Sequence, residues 1–317
     1  MPDTPFLLQL AQRLNAGLEH LAVSRLQRHR QFVFSQQMPD GGFRGREGDS
    51  DLYYTSFAVR CLGLTGGISS EEASTLIDYM ARHDWRTLEA IDLLNYVYTA
   101  LAIQTFTGHD LFANESASWT QSLARKLEET RTPDGGYAKS PTNSIGSTYH
   151  SFLTVLTYEL LGIVVPQPNR LIQFFYDRQR DDGGFVEIAP MKSSGTNPTA
   201  AAAIALQRLG GMDDELREDV KLFLREVRSG DGGFEANTRI PIADGLSTFT
   251  GLSTLIDIGI DPETLIPRKQ VIQFVTHPEE GLELPTGGFR GGVWDSQADT
   301  EYTFYGLGIL GLVGAEV

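Results

Sequence analysis

A single cysteine, Cys61, stands in the 317 residues, so an internal disulfide framework is excluded. No apolar run approaches the roughly 18 residues that a spanning helix takes, and no basic-plus-apolar leader opens the chain, which therefore reads as soluble and cytoplasmic. Positive charge is scarce. Lys+Arg 26 against Asp+Glu 41 leaves a formal charge of −15, a field that repels phosphate backbones and anionic lipid surfaces and removes nucleic acid from the expected partners. With 41% hydrophobic residues the chain can bury a sizeable core. Its length alone fits one large domain or two ordinary ones.

Glycine is plentiful, 33 residues, and it recurs in register. Gly-Gly-aromatic strings stand at Gly41-Gly42-Phe43, Gly135-Gly136-Tyr137, Gly183-Gly184-Phe185, Gly232-Gly233-Phe234 and Gly287-Gly288-Phe289. Four follow an Asp and the fifth follows Thr286. The second glycines lie 94, 48, 49 and 55 residues apart, so the first gap holds two units, one without its glycines, and the units number six. A second register runs back from Gly66, Gly108, Gly162, Gly210, Gly259 and Gly314. Twelve residues earlier come Tyr54, Tyr96, His150, Pro198, Ser247 and Tyr302, followed by Thr55, Val97, Ser151, Thr199, Thr248 and Thr303. Eight before each glycine is a small residue, namely Ala58, Ala100, Thr154, Ala202, Gly251 or Gly306, a column expected to let helices approach closely.

The stretches around these columns are apolar on all sides, as in Ala200-Ala201-Ala202-Ala203-Ile204-Ala205-Leu206, and predict buried helices. The other half of each unit is amphipathic and begins with caps: Ser69 with Glu72, Asp213, and Asp261 with Pro262. Each unit thus reads as an outer amphipathic helix, a Gly-Gly turn and an inner buried helix, with residues 1 to about 35 supplying the first outer helix. Six such hairpins must stack to bury their faces. The fold class is all-α, and a closed ring and an open solenoid both satisfy the pattern. Cys61 shares a column of small and medium residues and reads as packing rather than as a nucleophile.

The spacing Gln37 to Gly41 to Phe43, and Gln179 to Gly183 to Phe185, resembles the Gln-x-x-x-Gly-x-aromatic repeat of the terpenoid cyclase and protein prenyltransferase superfamily. The likeness is strongest to the β subunit of protein prenyltransferases. It implies an α/α toroid of six hairpins, one domain over residues 1–317, an isoprenoid or prenyl diphosphate as ligand, and a second, α-subunit-like protein as a possible partner. The same resemblance implies a zinc held by Asp-x-Cys and Asp-x-x-His. Here these fall on Asp244-Gly245-Leu246 and Asp299-Thr300-Glu301-Tyr302, so the aspartates are kept and the Cys and His are not. No zinc or other cofactor is expected from so reduced a donor set.

Acids stand at the inner-helix starts: Asp51, Asp244, Asp299 and Glu301. Taken singly they read as caps. Together with Tyr53, Tyr54, Tyr96, Tyr149, Tyr302 and Tyr305 they would form an acidic, aromatic mouth able to stabilise a carbocation. Asp299-Thr300-Glu301-Tyr302-Thr303 also resembles the Asp-x-Asp-Asp-Thr acid motif of class II terpene cyclases, with Glu301 in the proton-donor place. Asp244, Asp299, Glu301 and Tyr302 are the catalytic candidates. For ligand binding, the resemblance points to basic loop residues, Arg239 first, then Arg44, Arg46, Lys139, Lys192 and Arg290, beside Tyr54, Tyr96 and His150. The expected function is a zinc-independent, isoprenoid-handling enzyme. Proton-initiated cyclisation and a non-catalytic toroid that binds a lipid or protein are its rivals.

Overall fold

In the computed structural model, residues 4–314 are described. Thirteen α-helices account for the chain among these residues. After α1 (Phe6–Leu18) they form six outer–inner pairs. These are α2 (Val23–Ser35) with α3 (Leu52–Leu64), α4 (Ser70–Ala81) with α5 (Ala90–Thr107), and α6 (Trp119–Glu128) with α7 (Thr148–Leu160). The second half continues with α8 (Pro168–Tyr176) and α9 (Thr196–Leu209), α10 (Asp214–Glu226) and α11 (Gly245–Asp257), and α12 (Arg268–Thr276) and α13 (Thr300–Val313). The first 35 residues therefore hold two helices rather than the single outer helix expected. The break falls at Glu19 to Ala22, where the α1 pattern ends and Val23 begins a new face. Asp261 caps only a 3₁₀ turn over Pro262–Thr264, and α12 starts six residues later than Pro262 suggested. No helix among the described residues is long and apolar enough to cross a membrane.

The chain divides into two compact units, Leu8–Leu123 with Thr276–Val317, and Met1–Leu7 with Ala124–Val275. In the first, α3 is flanked by α5 on one side and α13 on the other, so the sixth inner helix packs directly on the first. The backbones of Gly17 in α1 and Gly311 in α13 also meet there, with no room for a Cβ on Gly17. In the second unit α9 is flanked by α7 and α11. Its buried pair Arg208–Glu159 is 2.6 Å apart, and the same two side chains hold the Thr4 carbonyl and the Phe6 amide.

Five of the six turns are built on one plan. The aromatic residue of each Gly-Gly string bridges, antiparallel, to the residue six before it and to the N-cap of the coming inner helix; Phe43 pairs with Gln37 and Asp51, and Tyr137 with Arg131 and Ser147. Twice the second pairing lengthens into a two-residue ribbon, β1 (Phe234–Glu235) with β2 (Ala243–Asp244) and β3 (Phe289–Arg290) with β4 (Ala298–Asp299). The aromatic backbone N–H is buried and donates to the hydroxyl of the inner-helix column: Phe43 to Thr55 (2.9 Å), Tyr137 to Ser151 (2.8 Å), Phe185 to Thr199 (2.8 Å), Phe234 to Thr248 (2.9 Å) and Phe289 to Thr303 (3.2 Å). The exception explains itself. The second hairpin has no Gly-Gly-aromatic turn, only a 3₁₀ turn at Trp85–Thr87, and its column residue is Val97, with no hydroxyl and no amide to satisfy.

In the fifth and sixth repeats the small-residue column makes room for the same turn. A Cβ on Gly251 would come within 3.0 Å of the Phe234 ring, and one on Gly306 would overlap the Phe289 ring. In these two repeats the glycine vacates the space that its own repeat's aromatic fills. The first glycine of the string is required twice over. Gly41 has φ of +94° and lies against the Thr75 carbonyl of the next outer helix, so a side chain there is both strained and obstructed. Thr199→Val, which keeps shape but leaves the Phe185 amide unpaired in the core, should cost about 1–3 kcal/mol in chemical denaturation, whereas Val97→Thr should be nearly neutral. Equal effects at the two positions would refute this account of the column.

Candidate functional site

The inner helices begin with real caps. Asp299 accepts from the Tyr302 amide (2.8 Å), Asp244 from the Ser247 amide (2.7 Å) and hydroxyl (2.8 Å), and Asp51 from the Tyr54 amide (2.7 Å). Asp299 does more than cap. It is 3% exposed, and Arg46, from the turn of the first hairpin, donates its Nε to it at 3.0 Å while a terminal nitrogen binds Asp295. The Arg46 guanidinium also lies 5.9 Å from the centre of the Tyr302 ring, which itself packs against Gly291. Burial raises the Asp299 carboxyl above its ordinary value, while its amide bond and Arg46 pull the other way.

Glu301 sits one turn into the same wall. Its Oε1 accepts from the Tyr53 hydroxyl at 2.8 Å and from the Tyr305 hydroxyl at 3.3 Å, so both bonds fall on one oxygen. Burial raises its pKa, and the neighbouring charge of Asp299 adds to the rise. Below it the rings continue without a gap: Tyr53 to Phe57 (5.0 Å), Phe57 to Tyr305 (5.5 Å) and to Phe304 (5.7 Å). Tyr54, at right angles to Tyr53, covers Gly45, and its phenol pKa is raised by burial and by Asp299 and Glu301. The arrangement comes from α3 and α13 lying side by side. Residues 53 and 57 of one and 301, 304 and 305 of the other then face the same space, four residues being close to one turn. An acid of raised pKa above a run of aromatic faces can give a proton to an alkene, and the rings can stabilise the cation that results.

The other sequence-predicted residues divide by unit. In the first, Tyr96 is 4% exposed and packs edge-on against Phe112, as a core residue does. Arg290 donates to the carbonyls of Gly281, Asp295 and Glu279 and so braces its own turn. Arg44 is half-buried, with its Nε buried and unbonded. In the second unit, Arg239 is exposed in the turn before α11, its amide bonded to Asn237. His150 meets the Ser147 hydroxyl through Nδ1 at 2.8 Å, and Ser147 donates to Glu187, which also takes the Tyr149 amide. Asp244 and Arg239 share the second unit with His150, whereas Asp299, Glu301, Tyr302, Tyr54, Tyr96, Arg44 and Arg290 belong to the first.

Sequence reasoning passed over Glu187, Ser147, Phe57 and Phe304. Ser147 carried a signal, because it occupies the cap column of Asp51, Asp244 and Asp299; Glu187 carried none. The donors at the former metal motif do not suit zinc. Both Asp244 oxygens are engaged by Ser247, Leu246 offers no donor, and Tyr302 is a phenol beneath a guanidinium. No group of three or more His, Cys, Asp or Glu side chains able to hold a metal is assembled among the described residues.

Known proteins place this architecture. The sequence matches the family model of the prenyltransferase alpha-alpha toroid domain over residues 6–90 and 72–317. No curated protein matches it. Among solved structures, it is similar to protein geranylgeranyltransferase-I of Candida albicans complexed with GGPP, at 15% identity and a TM-score of 0.58, covering 96% of this chain and 84% of that one. It is also similar to a variant of the type II terpene cyclase MstE of Scytonema in complex with geranylgeranyl dihydroxybenzoate, at 13% identity and 0.61, covering 98% of each chain. A third is an inactive α-1,6-mannanase variant of Salegentibacter in complex with α-1,6-mannotriose, at 11% and 0.60, covering 92% and 98%. At these identities the likeness speaks for the fold, and catalysts as different as these share it. With the family model spanning nearly the whole chain, this protein belongs to the prenyltransferase alpha-alpha toroid family.

Proposed function

We propose that this protein is a zinc-independent, isoprenoid-handling enzyme that starts its reaction by protonating an alkene, with Glu301 as the acid. One observation carries the reading: Glu301, its pKa raised by burial, receives two tyrosine hydroxyls on Oε1 and stands over the rings of Tyr53, Phe57, Phe304 and Tyr305. Oε2 is then the oxygen that carries the proton. As the proton moves to an alkene carbon, the π electrons form the new C–H bond, the neighbouring carbon becomes cationic, and Tyr53 and Tyr305 stabilise the carboxylate left behind. Asp299, buried beside it, disfavours ionisation of Glu301 before substrate arrives, and Arg46, bonded to Asp299, opposes the rise that burial gives that carboxyl. Tyr302 positions Arg46 through its ring.

Transfer of a prenyl group from a diphosphate is less well served. The metal donors are missing, and Arg46 and Arg290, two of the bases expected at the mouth, are occupied by acids and carbonyls of their own loops. Two of the three structural neighbours above hold geranylgeranyl compounds, which supports an isoprenoid as the ligand class. Asp244, by contrast, acts as a cap with both oxygens engaged. The direct test is incubation with geranylgeranyl compounds in D2O. Proton-initiated cyclisation gives a cyclic isomer with one non-exchangeable deuterium. A prenylated acceptor without deuterium would replace this reading with transfer, and ligand binding without any product would leave a non-catalytic toroid.

A further inference from the structure

On α3, two turns beyond Tyr53 and so about 10 Å further along the same face, stands Arg60. It projects between the two helices that flank α3: its guanidinium carbon lies 4.6 Å from the ring centre of Tyr98 on α5, 4.9 Å from that of Phe57, and 5.8 Å from that of Phe304 on α13. Arg60 thus lies on the face of α3 that both inner neighbours share. Tyr98 and Arg60 are both half-buried, and burial drives the Tyr98 phenol pKa up. Arg60 reaches the Tyr98 hydroxyl, and its Nε is buried without any hydrogen-bond partner among the described residues. No carboxylate among the described residues forms an ion pair with Arg60, while the other deeply set arginines, Arg178 and Arg208, each have one.

A half-buried permanent cation with a buried, unbonded N–H is costly unless a partner compensates it. The aromatic faces supply part of that compensation and hold the guanidinium plane still, but they accept none of its N–H groups. We propose that Arg60 binds the anionic end, carboxylate or phosphate, of the isoprenoid ligand. The inference rests on the isoprenoid reading of the site and adds the class and direction of the ligand. The wall joining Arg60 to Glu301 is continuous through Phe57, so the alkene end lies under the acid and the charged end under the guanidinium. A carbocation forming at Glu301 is kept at that end, since Arg60 repels it.

Three probes with one prenyl chain test this: geranylgeranoic acid, geranylgeranyl diphosphate and geranylgeraniol, titrated calorimetrically against the whole protein. At least one anion should bind about tenfold or more tighter than the alcohol, and which anion does so identifies the group. Arg60→Met should erase that preference and leave the alcohol within about twofold, while Arg60→Lys, which keeps the charge and loses the planar fork, should retain part of it. Equal binding of acid, diphosphate and alcohol by the wild-type protein overturns the proposal while sparing the isoprenoid reading. So does an anion preference that survives in a folded Arg60→Met. If none of the three binds the wild-type protein, the isoprenoid reading fails first and this proposal falls with it.

Discussion

Glu301→Gln should reduce turnover of an isoprenoid by roughly a thousandfold or more, with ligand affinity changed by no more than a few-fold. The substitution preserves the side chain's size and its acceptance of the Tyr53 and Tyr305 hydroxyls through the amide oxygen, and it removes only the transferable proton. Asp299→Asn should lower turnover as well by letting the Glu301 pKa fall, though Asn still caps α13. The pH dependence has a definite sign. Activity needs protonated Glu301, whose pKa lies above the ordinary carboxylate range, so turnover holds at acid pH and declines as pH rises through that value. Unchanged product formation in Glu301→Gln, with only a modest loss of melting temperature, would reduce the acids to helix caps and leave the non-catalytic toroid as the better account.

The largest effect on stability should come from Glu283, far from the chemistry. It occupies the Gln position of the sixth repeat, six residues before Phe289, and is 10% exposed at its side chain. Arg25 binds it with two nitrogens, Nε at 3.0 Å, Arg28 with a third at 2.6 Å, and His29 at 3.2 Å. His29 accepts the Gly288 amide on Nδ1, so its Nε2 carries the proton and donates to Glu283, while the ring stacks on Phe289 at 4.6 Å. Although burial opposes ionisation, these partners hold the Glu283 pKa at about 2, down from 4.5. Glu283→Ala strands the buried His29 and the half-buried Arg25 and should cost roughly 3–5 kcal/mol, a fall in Tm of roughly 6–12 °C. A carboxyl whose pKa is depressed on folding stabilises above its unfolded value, and the contribution fades as pH drops from about 4.5 towards 2. His29, kept neutral by burial, adds an acid sensitivity that begins nearer 6.5. The variant should therefore show a shallower loss of Tm between pH 4.5 and 2 than the wild type. Parallel acid limbs in the two proteins would rule out Glu283 as the source.

The repeat plan was legible because its contacts are short in sequence. Phe43 meets Thr55 twelve residues later, Asp299 caps Tyr302 three residues later, and both regularities show as columns in a single chain. The site was legible only as composition. Glu301 and the tyrosines could be grouped by helix start, but that Arg46 spends its charge on Asp299, 253 residues away, depends on which turns the fold brings together. Ser147 and Glu187, 40 residues apart, are hidden for the same reason. The helix break at Glu19 to Ala22 was missed because both halves of that stretch are amphipathic and nothing in them is a strong breaker.

The packing of α13 on α3 bears on how the polypeptide is made. The stretch from 8 to 123 emerges from the ribosome first, yet the compact unit it belongs to also needs residues from 276 onward, including the strip of α13 that lies on α3 and the Gly311 backbone that meets Gly17. Residues 124–275 have no such debt, needing only the first few residues of the chain, which are already outside. The middle of the molecule can therefore complete its core while the earlier segment still waits, with the apolar faces of α3 and α5 uncovered, for residues from 276 onward. That interval is when the nascent protein is most exposed to aggregation or to capture by a chaperone, and it lengthens with anything that slows synthesis of the segment that carries α13.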